Sequence, residues 1–220
     1  MVSDFSNQAH LTAPEKVTQA LRRAITTGVL PAGAQLRQTE IAAQYKVSRM
    51  PVREALRQLE AEGLIVVYPG RGAFVNRLTR AEIEEIYEIR VLLESHALRQ
   101  AYPALSPTIL AQAEAYLVEL EGANDGLTFG QLDEAFHRTI YAPAGRPRLL
   151  NLISTLRNQV TQFLYMASPM ERYQSHSLQE HRQILDACRS GDLNAAVKAL
   201  EIHLHNSAQT IIVSNESLRQ

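Results

Sequence analysis

The chain has a single cysteine, Cys188, and no tryptophan among its 220 residues. One cysteine excludes an internal disulfide framework and fits a reducing compartment. No apolar run approaches the roughly 20 residues that a membrane-spanning helix requires. The first residues form a polar stretch without the basic-then-apolar pattern of a signal peptide. We therefore expect a cytoplasmic protein that begins with a polar arm and has no membrane partner.

The chain also has little net charge, −1 at pH 7, which by itself does not indicate a nucleic-acid partner. The charges are nevertheless unevenly distributed. Residues 1–78 hold ten Lys and Arg against six Asp and Glu, whereas residues 79–220 hold twelve against seventeen. A basic first part joined to an acidic second part fits DNA binding confined to one domain. We expect domains at 1–78 and 79–220, joined by a linker at 76–78.

The stretch 39–63 has the pattern of two short helices joined by a tight turn. Thr39 is expected to cap the first helix and Ser48 the second. The second helix has an apolar stripe at i, i+3, i+4 and i+7, made of Val52, Ala55, Leu56 and Leu59. Off this stripe, near the helix start, lie Arg49, Met50, Arg53 and Arg57. An apolar back with cationic donors at the N-terminal end predicts a DNA recognition helix, although a solvated basic face has the same pattern.

A β-hairpin is predicted directly after this helix pair. Two strand-forming runs, 64–67 and 73–75, flank a turn that carries Gly70, Arg71 and Gly72. Glycine at the tip allows the backbone to approach DNA closely, and Arg71 can reach a phosphate or the minor groove. A helix-turn-helix followed by a basic-tipped hairpin predicts a winged helix.

The motifs of this region resemble the DNA-binding domain of the GntR family of bacterial transcription regulators. They are G-x-x-L at 33–36, V-S-R-x-P-V-R-E-A-L at 47–56, L-E-x-E-G-L at 59–64 and P-G-R-G-x-F-V at 69–75. The resemblance implies DNA contacts by Ser48, Arg49, Met50, Arg53 and Gly70. Position 50 is usually Thr in the family. Methionine cannot donate to a phosphate, and an apolar contact with a thymine methyl is open to it instead.

Residues 79–220 show helical periodicity and no convincing strand. We predict six helices, at about 80–101, 107–121, 128–141, 146–166, 171–189 and 192–214, separated by Pro and Gly breaks. Thr79 and Glu82 form a capping box at the start of the first of these helices. The pattern predicts an all-α antiparallel bundle. The whole chain is therefore expected to be mainly α, with an N-terminal winged helix-turn-helix.

Three histidines and one aspartate fall on the expected inward faces of three separate helices. Asp133 and His137 are one turn apart, His181 interrupts an apolar stripe, and His203 faces inward on the last helix, whereas His205 falls on the solvent side. One Asp and three His can bind a first-row divalent metal, and bundle cores hold such sites. A buried histidine is more often only hydrogen-bonded in the core. Periodicity does not show which helices are neighbours, so both interpretations stay open at this point.

Motifs in the second domain resemble the effector-binding FCD domain of the FadR subfamily of GntR regulators. They are D-x-x-F-H at 133–137, E-H-R-x-I-L at 180–185, G-D at 191–192 and H-L at 203–204. Six helices match the shorter, VanR-like branch. The resemblance implies a metal held by Asp133, His137, His181 and His203, with zinc, nickel and manganese all open.

A metal with open coordination positions would allow a small organic acid to complete its ligand set. Arg90 interrupts an otherwise apolar stripe and is our first candidate for holding the carboxylate. An internal ion pair between Arg90 and Glu94 is an equal alternative. Asn206 is a weaker effector candidate, and three further polar groups can line the pocket or lie on the surface: Arg157, Asn158 and Tyr165.

These patterns and resemblances together predict a homodimeric, ligand-responsive regulator that binds an inverted-repeat operator in double-stranded DNA and is not an enzyme. The resemblance to the family implies that it is a repressor released by its ligand. Three alternatives stay open. The cluster could activate water in a metallohydrolase, although no convincing general base lies beside it. The metal could be purely structural, or the histidines of a metal-free pocket could bind the ligand directly.

Overall fold

The computed structural model describes residues 11–166 and 170–217, without the side chains at 126–127, 162–166, 170–173 and 214–217. The expected polar N-terminal arm lies almost entirely outside these ranges. The fold divides into two compact units, Met1–Arg77 and Leu78–Gln220. None of the described helices has the length and apolar character needed to span a bilayer.

The first unit is a three-helix domain with a small sheet. Its elements are α1 (Ala13–Thr26), β1 (Gln35–Leu36), α2 (Gln38–Tyr45), α3 (Arg49–Ala61), β2 (Ile65–Tyr68) and β3 (Gly72–Val75). The sheet is antiparallel in the order β1-β3-β2, with Leu36 opposite Ala73 and Ile65 opposite Val75. This arrangement confirms the predicted winged helix-turn-helix.

One apolar core holds this unit together. The inward faces of α1 and α3 pack on each other and on residues of the sheet and α2, burying Val17, Leu21, Ile25, Leu36, Ile41, Val52, Ala55, Leu56, Leu59, Leu64 and Val75. The predicted stripe of α3 is therefore its core face. Because that face is fixed in the core, the opposite face of α3 is held rigidly toward solvent.

The two expected caps of the helix pair have different outcomes. Helix α2 begins at Gln38 with Arg37 at the N-cap position, so the prediction that Thr39 caps this helix is wrong. Arg37 also forms an exposed ion pair with Glu40 in the first turn of the helix, 3.0 Å between Nη1 and Oε1. Ser48 is the N-cap residue of α3, as predicted, but its hydroxyl makes no capping hydrogen bond.

The turn between α2 and α3 depends on a left-handed lysine. Lys46 has φ 53° and ψ 43°, and its backbone N–H bonds to the carbonyls of Ala42 and Ala43. Non-glycine residues adopt this conformation at a cost of roughly 1–2 kcal/mol. After α3, Gly63 with φ 72° provides the expected left-handed stop.

The second unit is all-helical in its described part. Its elements are α4 (Arg80–Ala101), α5 (Pro107–Glu121), α6 (Gly126–Tyr141), α7 (Pro147–Met166), α8 (Met170–Arg189) and α9 (Leu193–Ser217), with short 3-10 turns at Tyr102–Ala104 and Ala142–Ala144. The predicted helices are confirmed to within three residues at each end. The Thr79–Glu82 capping box is also present, with the threonine hydroxyl accepting from the Glu82 N–H.

Helix packing brings the predicted site together. Helix α9 packs against α8, α4 and α7, while α6 packs against α5, α4 and α7. The inward faces of α6, α8 and α9 converge in the middle of the bundle. The bundle therefore places Asp133, His137, His181 and His203 in its interior, all of them buried or nearly so.

Candidate functional site

The predicted DNA-contacting residues of α3 lie on its exposed face. Ser48, Arg49 and Arg53 are exposed, and Met50 has 58% of its surface open to solvent. They occupy the N-cap and the first turns of the helix, where backbone N–H groups have no partner within the helix. This end of α3 therefore offers amide donors, long cations and one apolar side chain to an approaching DNA groove.

The cations of this face are not neutralised by any residue that the structure describes. In that part of the chain, the side chains of Arg49, Arg53 and Arg57 form no hydrogen bond or ion pair. Elsewhere in the same unit, Arg22 is bound to Glu62 at 2.6 Å. Arginines without an internal partner are available to phosphates and base edges.

The wing tip is exposed, and the space around Gly70 is open. Gly70 has φ 73°, and a β-carbon placed on it would meet no atom within 4 Å. The Arg71 N–H donates to the Tyr68 carbonyl at 3.0 Å, which closes the turn. The Arg71 guanidinium lies 5.6 Å from the centre of the Tyr68 ring. The structure thus places Gly70 and Arg71 at the exposed tip of the hairpin.

The four predicted metal ligands meet at one point. One ligand atom from each of Asp133, His137, His181 and His203 lies within 4.8 Å of the other three. The Nε2 atoms of His137 and His181 are 3.0 Å apart, and Oδ1 of Asp133 lies 3.2 Å from Nε2 of His181. The structure therefore brings together all four residues that the sequence nominated. His205 is exposed, as predicted, and its Nδ1 contacts the Glu201 carbonyl.

Buried partners fix the orientation of two of the rings. His203 Nδ1 lies 2.8 Å from Oε2 of Glu180, and because a carboxylate only accepts, this nitrogen donates. The hydroxyl of Tyr141 donates to Glu94 at 2.9 Å, so His137 Nδ1, at 3.1 Å, must donate to the Tyr141 oxygen. In a neutral imidazole, a proton on Nδ1 leaves the lone pair of Nε2 free, so these partners favour the tautomer that binds a metal through Nε2.

The donor set fits a first-row divalent ion. His137 presents a lone pair toward His181 at 3.0 Å, a distance at which two lone pairs repel unless a proton or a cation lies between them. Two nitrogens that share one ion at about 2.0–2.1 Å would have a similar spacing. The second nitrogen of His181, Nδ1, is buried without a hydrogen-bond partner among the described residues. Three imidazoles and one carboxylate are therefore arranged as zinc, nickel or manganese ligands are.

The protonation states also suit metal binding. Burial raises the pKa of the Asp133 carboxyl, but the Arg157 guanidinium and the neighbouring histidines outweigh it and hold the pKa well below its ordinary value. Burial and then Arg157 lower the pKa of His137 well below its ordinary value. Burial and then His203 lower the pKa of His181. At neutral pH the lowered pKa values therefore favour a charged Asp133 and neutral His137 and His181, which are the forms that metal ligation requires.

Arg157 is the central cation of the site. Its Nη2 lies 2.5 Å from Oδ2 of Asp133, its Nε 2.7 Å from Glu134, and its Nη1 3.5 Å from Glu94. The side chain is buried. Arg157 therefore ties α7 to α6 and α4, and it leaves Oδ1 of Asp133 to face the histidines.

The two predicted effector contacts are engaged inside the protein. Arg90 forms the alternative ion pair with Glu94, 2.7 Å between Nε and Oε1, and its guanidinium lies 4.4 Å from the centre of the Tyr87 ring. Asn206 donates to Oε1 of Glu180 at 2.5 Å. Of the other polar candidates, Asn158 is half-buried, and the side chain of Tyr165 lies outside the described residues.

The sequence did not nominate Tyr141 or Glu180, nor did it indicate that Glu94 contacts Arg157 and Tyr141 as well as Arg90. Tyr141 follows His137 by one helical turn, so its place on the same face was visible in the sequence. Glu180 precedes His181 directly, and no periodicity within α8 indicates that it reaches a histidine on α9. Arg157, for which pocket and surface were both open, is buried, and its spacing from buried Ile153 and Val160 indicates the inward face.

Comparisons with known proteins agree with this architecture. Residues 13–75 match the family described as bacterial regulatory proteins, gntR family, and residues 85–206 match the FCD domain. The chain is 34% identical to the "Probable D-xylose utilization operon transcriptional repressor" of Paenarthrobacter nicotinovorans, over 88% of this chain and 86% of that one. It is 27% identical to the HTH-type transcriptional repressor RspR of Escherichia coli (strain K12), over 90% and 88%.

A solved structure shows the same fold. The GntR transcriptional regulator from Rhodococcus sp. RHA1 superimposes with a TM-score of 0.79 at 26% identity, covering 91% of this chain and 97% of that one. Both domain matches, the relatives and the order of a winged helix followed in sequence by a helical bundle point to one conclusion. The chain belongs to the GntR family of bacterial transcription regulators, in its FCD-containing, FadR-like subfamily.

Proposed function

We propose that this regulator is a homodimeric repressor, acting in the cytoplasm, that leaves its operator when a small organic acid binds beside a metal ion in the helical bundle. The observation that carries the proposal is the convergence of Asp133, His137, His181 and His203, with the His137 and His181 nitrogens 3.0 Å apart. Two relatives that span most of the chain are named repressors, which supports the sign of regulation.

The DNA half of the proposal rests on the exposed end of α3. Arg49 and Arg53 would reach base edges in the major groove, Ser48 and the wing residues Gly70 and Arg71 would hold phosphates, and Met50 would contact a thymine methyl. Two copies related by a two-fold axis would read an inverted repeat.

The metal half rests on the four ligands and their buried partners. Asp133, His137, His181 and His203 would hold a zinc, nickel or manganese ion. Bound there, the ion would supply a Lewis-acidic centre that can accept a carboxylate oxygen. Tyr141 and Glu180 keep two of the rings in the tautomer and orientation needed.

Buried charge decides which ligand the bundle accepts. The buried carboxylates Glu94, Asp133 and Glu180 outnumber the buried cations Arg90 and Arg157 by one. An anion entering the metal-free bundle would therefore meet a net negative interior. A divalent cation reverses that sign, so an organic acid should bind well only after the metal. The acid would then compete with Glu94 for Arg90, which is the group best placed to change partner.

The engaged state of Arg90 and Asn206 favours a second candidate, in which the metal only staples α6, α8 and α9 together. Both side chains have good internal partners without an effector. In that case metal would stabilise the fold and no carboxylate would add to it. The two candidates share the metal site and differ in the response to organic acids.

The test begins with metal content per chain, measured by mass spectrometry on untagged protein purified without chelator. We expect about one first-row metal per chain, lost in His203→Ala and kept in His205→Ala. His205 is a matched control because it lies on the same helix but on its exposed side. Loaded and metal-free protein are then screened against small carboxylates by thermal shift. Stabilisation of the loaded form alone supports the sensor; metal without any acid response supports the structural site. No metal after incubation with zinc, nickel and manganese overturns both.

A further inference from the structure

One face of α4 has no partner within the described chain. Leu92 is 71% exposed and Ile89 is 38% exposed, both high values for large apolar side chains in the middle of a bundle helix. Four charged residues flank them on the same side of the helix: Glu85, Glu88, His96 and Arg99. On an ideal helix all six lie within about 60° of Leu92. We call this set the α4 stripe.

Some exposed charges of the same unit are paired and those of the α4 stripe are not. Arg80 is paired with Glu84, Arg189 with Glu114 and Arg182 with Glu121. By contrast, the four charged members of the stripe form no ion pair with any residue that the structure describes. They are also sorted by sign, since the two acids precede Leu92 and the two basic side chains follow it.

We propose that the α4 stripe is the interface with a second copy of this chain, the two α4 helices crossing antiparallel at Leu92. The inference rests on the homodimer of the proposed function and assigns its contact surface. A two-fold axis through Leu92 places each residue before it opposite the residue equally far after it in the other copy. Glu85, seven residues before, faces the partner's Arg99, and Glu88, four residues before, faces the partner's His96.

The spacing permits these contacts. Glu85 and Arg99 lie about 10.5 Å along the axis from Leu92. At a shallow crossing of about 20°, the helices diverge by only about 4 Å at that distance, within the reach of Glu and Arg side chains. Leu92 and Ile89 of both copies form the apolar centre. A parallel pairing would set Glu85 against Glu85 and Arg99 against Arg99, so the charges select the antiparallel register.

The test is a charge exchange in the full-length protein, with the dissociation constant of the dimer measured by sedimentation velocity near physiological salt. Glu85→Arg and Arg99→Glu each turn two symmetric attractions into repulsions, and we expect about a tenfold weaker dimer from either. The double variant Glu85→Arg/Arg99→Glu restores the pairs and should return the constant to near the wild-type value. Leu92→Glu, which sets two carboxylates on the axis, should give monomers. Circular dichroism melting checks that each variant is folded.

Two substitutions on α5 serve as matched controls. Val118 is 62% exposed and Glu119 is exposed, so Val118→Glu and Glu119→Arg change apolar surface and charge away from the stripe. Both should leave the dimer unchanged. Wild-type protein that is monomeric at all concentrations would overturn the homodimer and this interface together. A wild-type dimer indifferent to both single variants would overturn the interface alone, and failure of the double variant to restore pairing would overturn the register.

Discussion

Arg49 and Arg53 are the two side chains whose removal should weaken operator binding without disturbing the core. Both are exposed and without an internal partner among the described residues. We expect Arg49→Ala or Arg53→Ala to cost roughly 1–3 kcal/mol in specific binding and to relax discrimination between sequences. Fluorescence anisotropy with a selected inverted repeat and a scrambled duplex measures both effects. Arg37→Ala, which removes an exposed arginine paired with Glu40, is the control, and unchanged discrimination in the first two variants would contradict the assignment of α3.

Lys46 is the second residue with a specific consequence. Its left-handed backbone costs a side chain roughly 1–2 kcal/mol, whereas glycine adopts it freely but loses more entropy on folding. Lys46→Gly should therefore raise the free energy of unfolding by roughly 0.5–1 kcal/mol in urea denaturation of the full chain. Lys46→Ala removes the charge and keeps the strain, so it should not stabilise. A stabilising alanine variant would show that charge, rather than backbone, was the cause.

At the scale of elements, Arg157 joins three helices through buried carboxylates. Replacing it by Met keeps much of the volume but leaves Asp133 without its main counterion. We expect Arg157→Met to cost roughly 3–5 kcal/mol of unfolding free energy, as for other buried pairs broken on one side. Arg189→Met breaks the exposed pair with Glu114 and should cost at most about 1 kcal/mol. Urea denaturation of both variants measures the difference, and equal effects would show that the Arg157 network has little energetic weight.

The helices were largely predictable from the sequence, and their caps less so. Proline and glycine mark nearly every break of the second unit, and the inward stripes nominated all four residues of the buried Asp-His cluster because each helix buries one face. Thr39 is not a cap because helix α2 starts at Gln38, two residues earlier than a cap at Thr39 would place it, and preferences of single residues fix helix ends only to within one or two positions.

Contacts between helices were the part that periodicity could not supply. Glu180 reaches His203 across the α8–α9 interface, and Arg90 is buried in an ion pair with Glu94. Both outcomes depend on the distance and rotation between neighbouring elements. Periodicity indicates which face of a helix is buried, but the residue that each buried side chain contacts depends on how the helices pack.

The whole molecule should lose stability in acid when it is free of metal. The pKa values of His137 and His181 are lowered by burial, so the unfolded chain binds more protons than the folded chain once the pH falls below about 6.5. The lowered pKa of Asp133 acts in the same direction at lower pH. We expect the melting temperature of chelator-treated protein to fall between pH 7.5 and pH 5.5. The slope should be reduced in His181→Leu and kept in His205→Ala; a flat profile in the wild type would contradict the buried neutral histidines.

Helix α4 has two opposite faces with different neighbours. Arg90 and Glu94 look into the bundle, and Leu92, about 200° around the helix from Arg90, looks out of it. An effector that draws Arg90 away from Glu94 would act on the same helix that carries the α4 stripe. The signal would then cross one helix diameter, about 10 Å, as a roll or tilt of α4. The effector site and the dimer interface would then lie on opposite faces of one helix. Ligand binding could change the arrangement of the subunits through movement of that helix alone, without a long chain of coupled side chains.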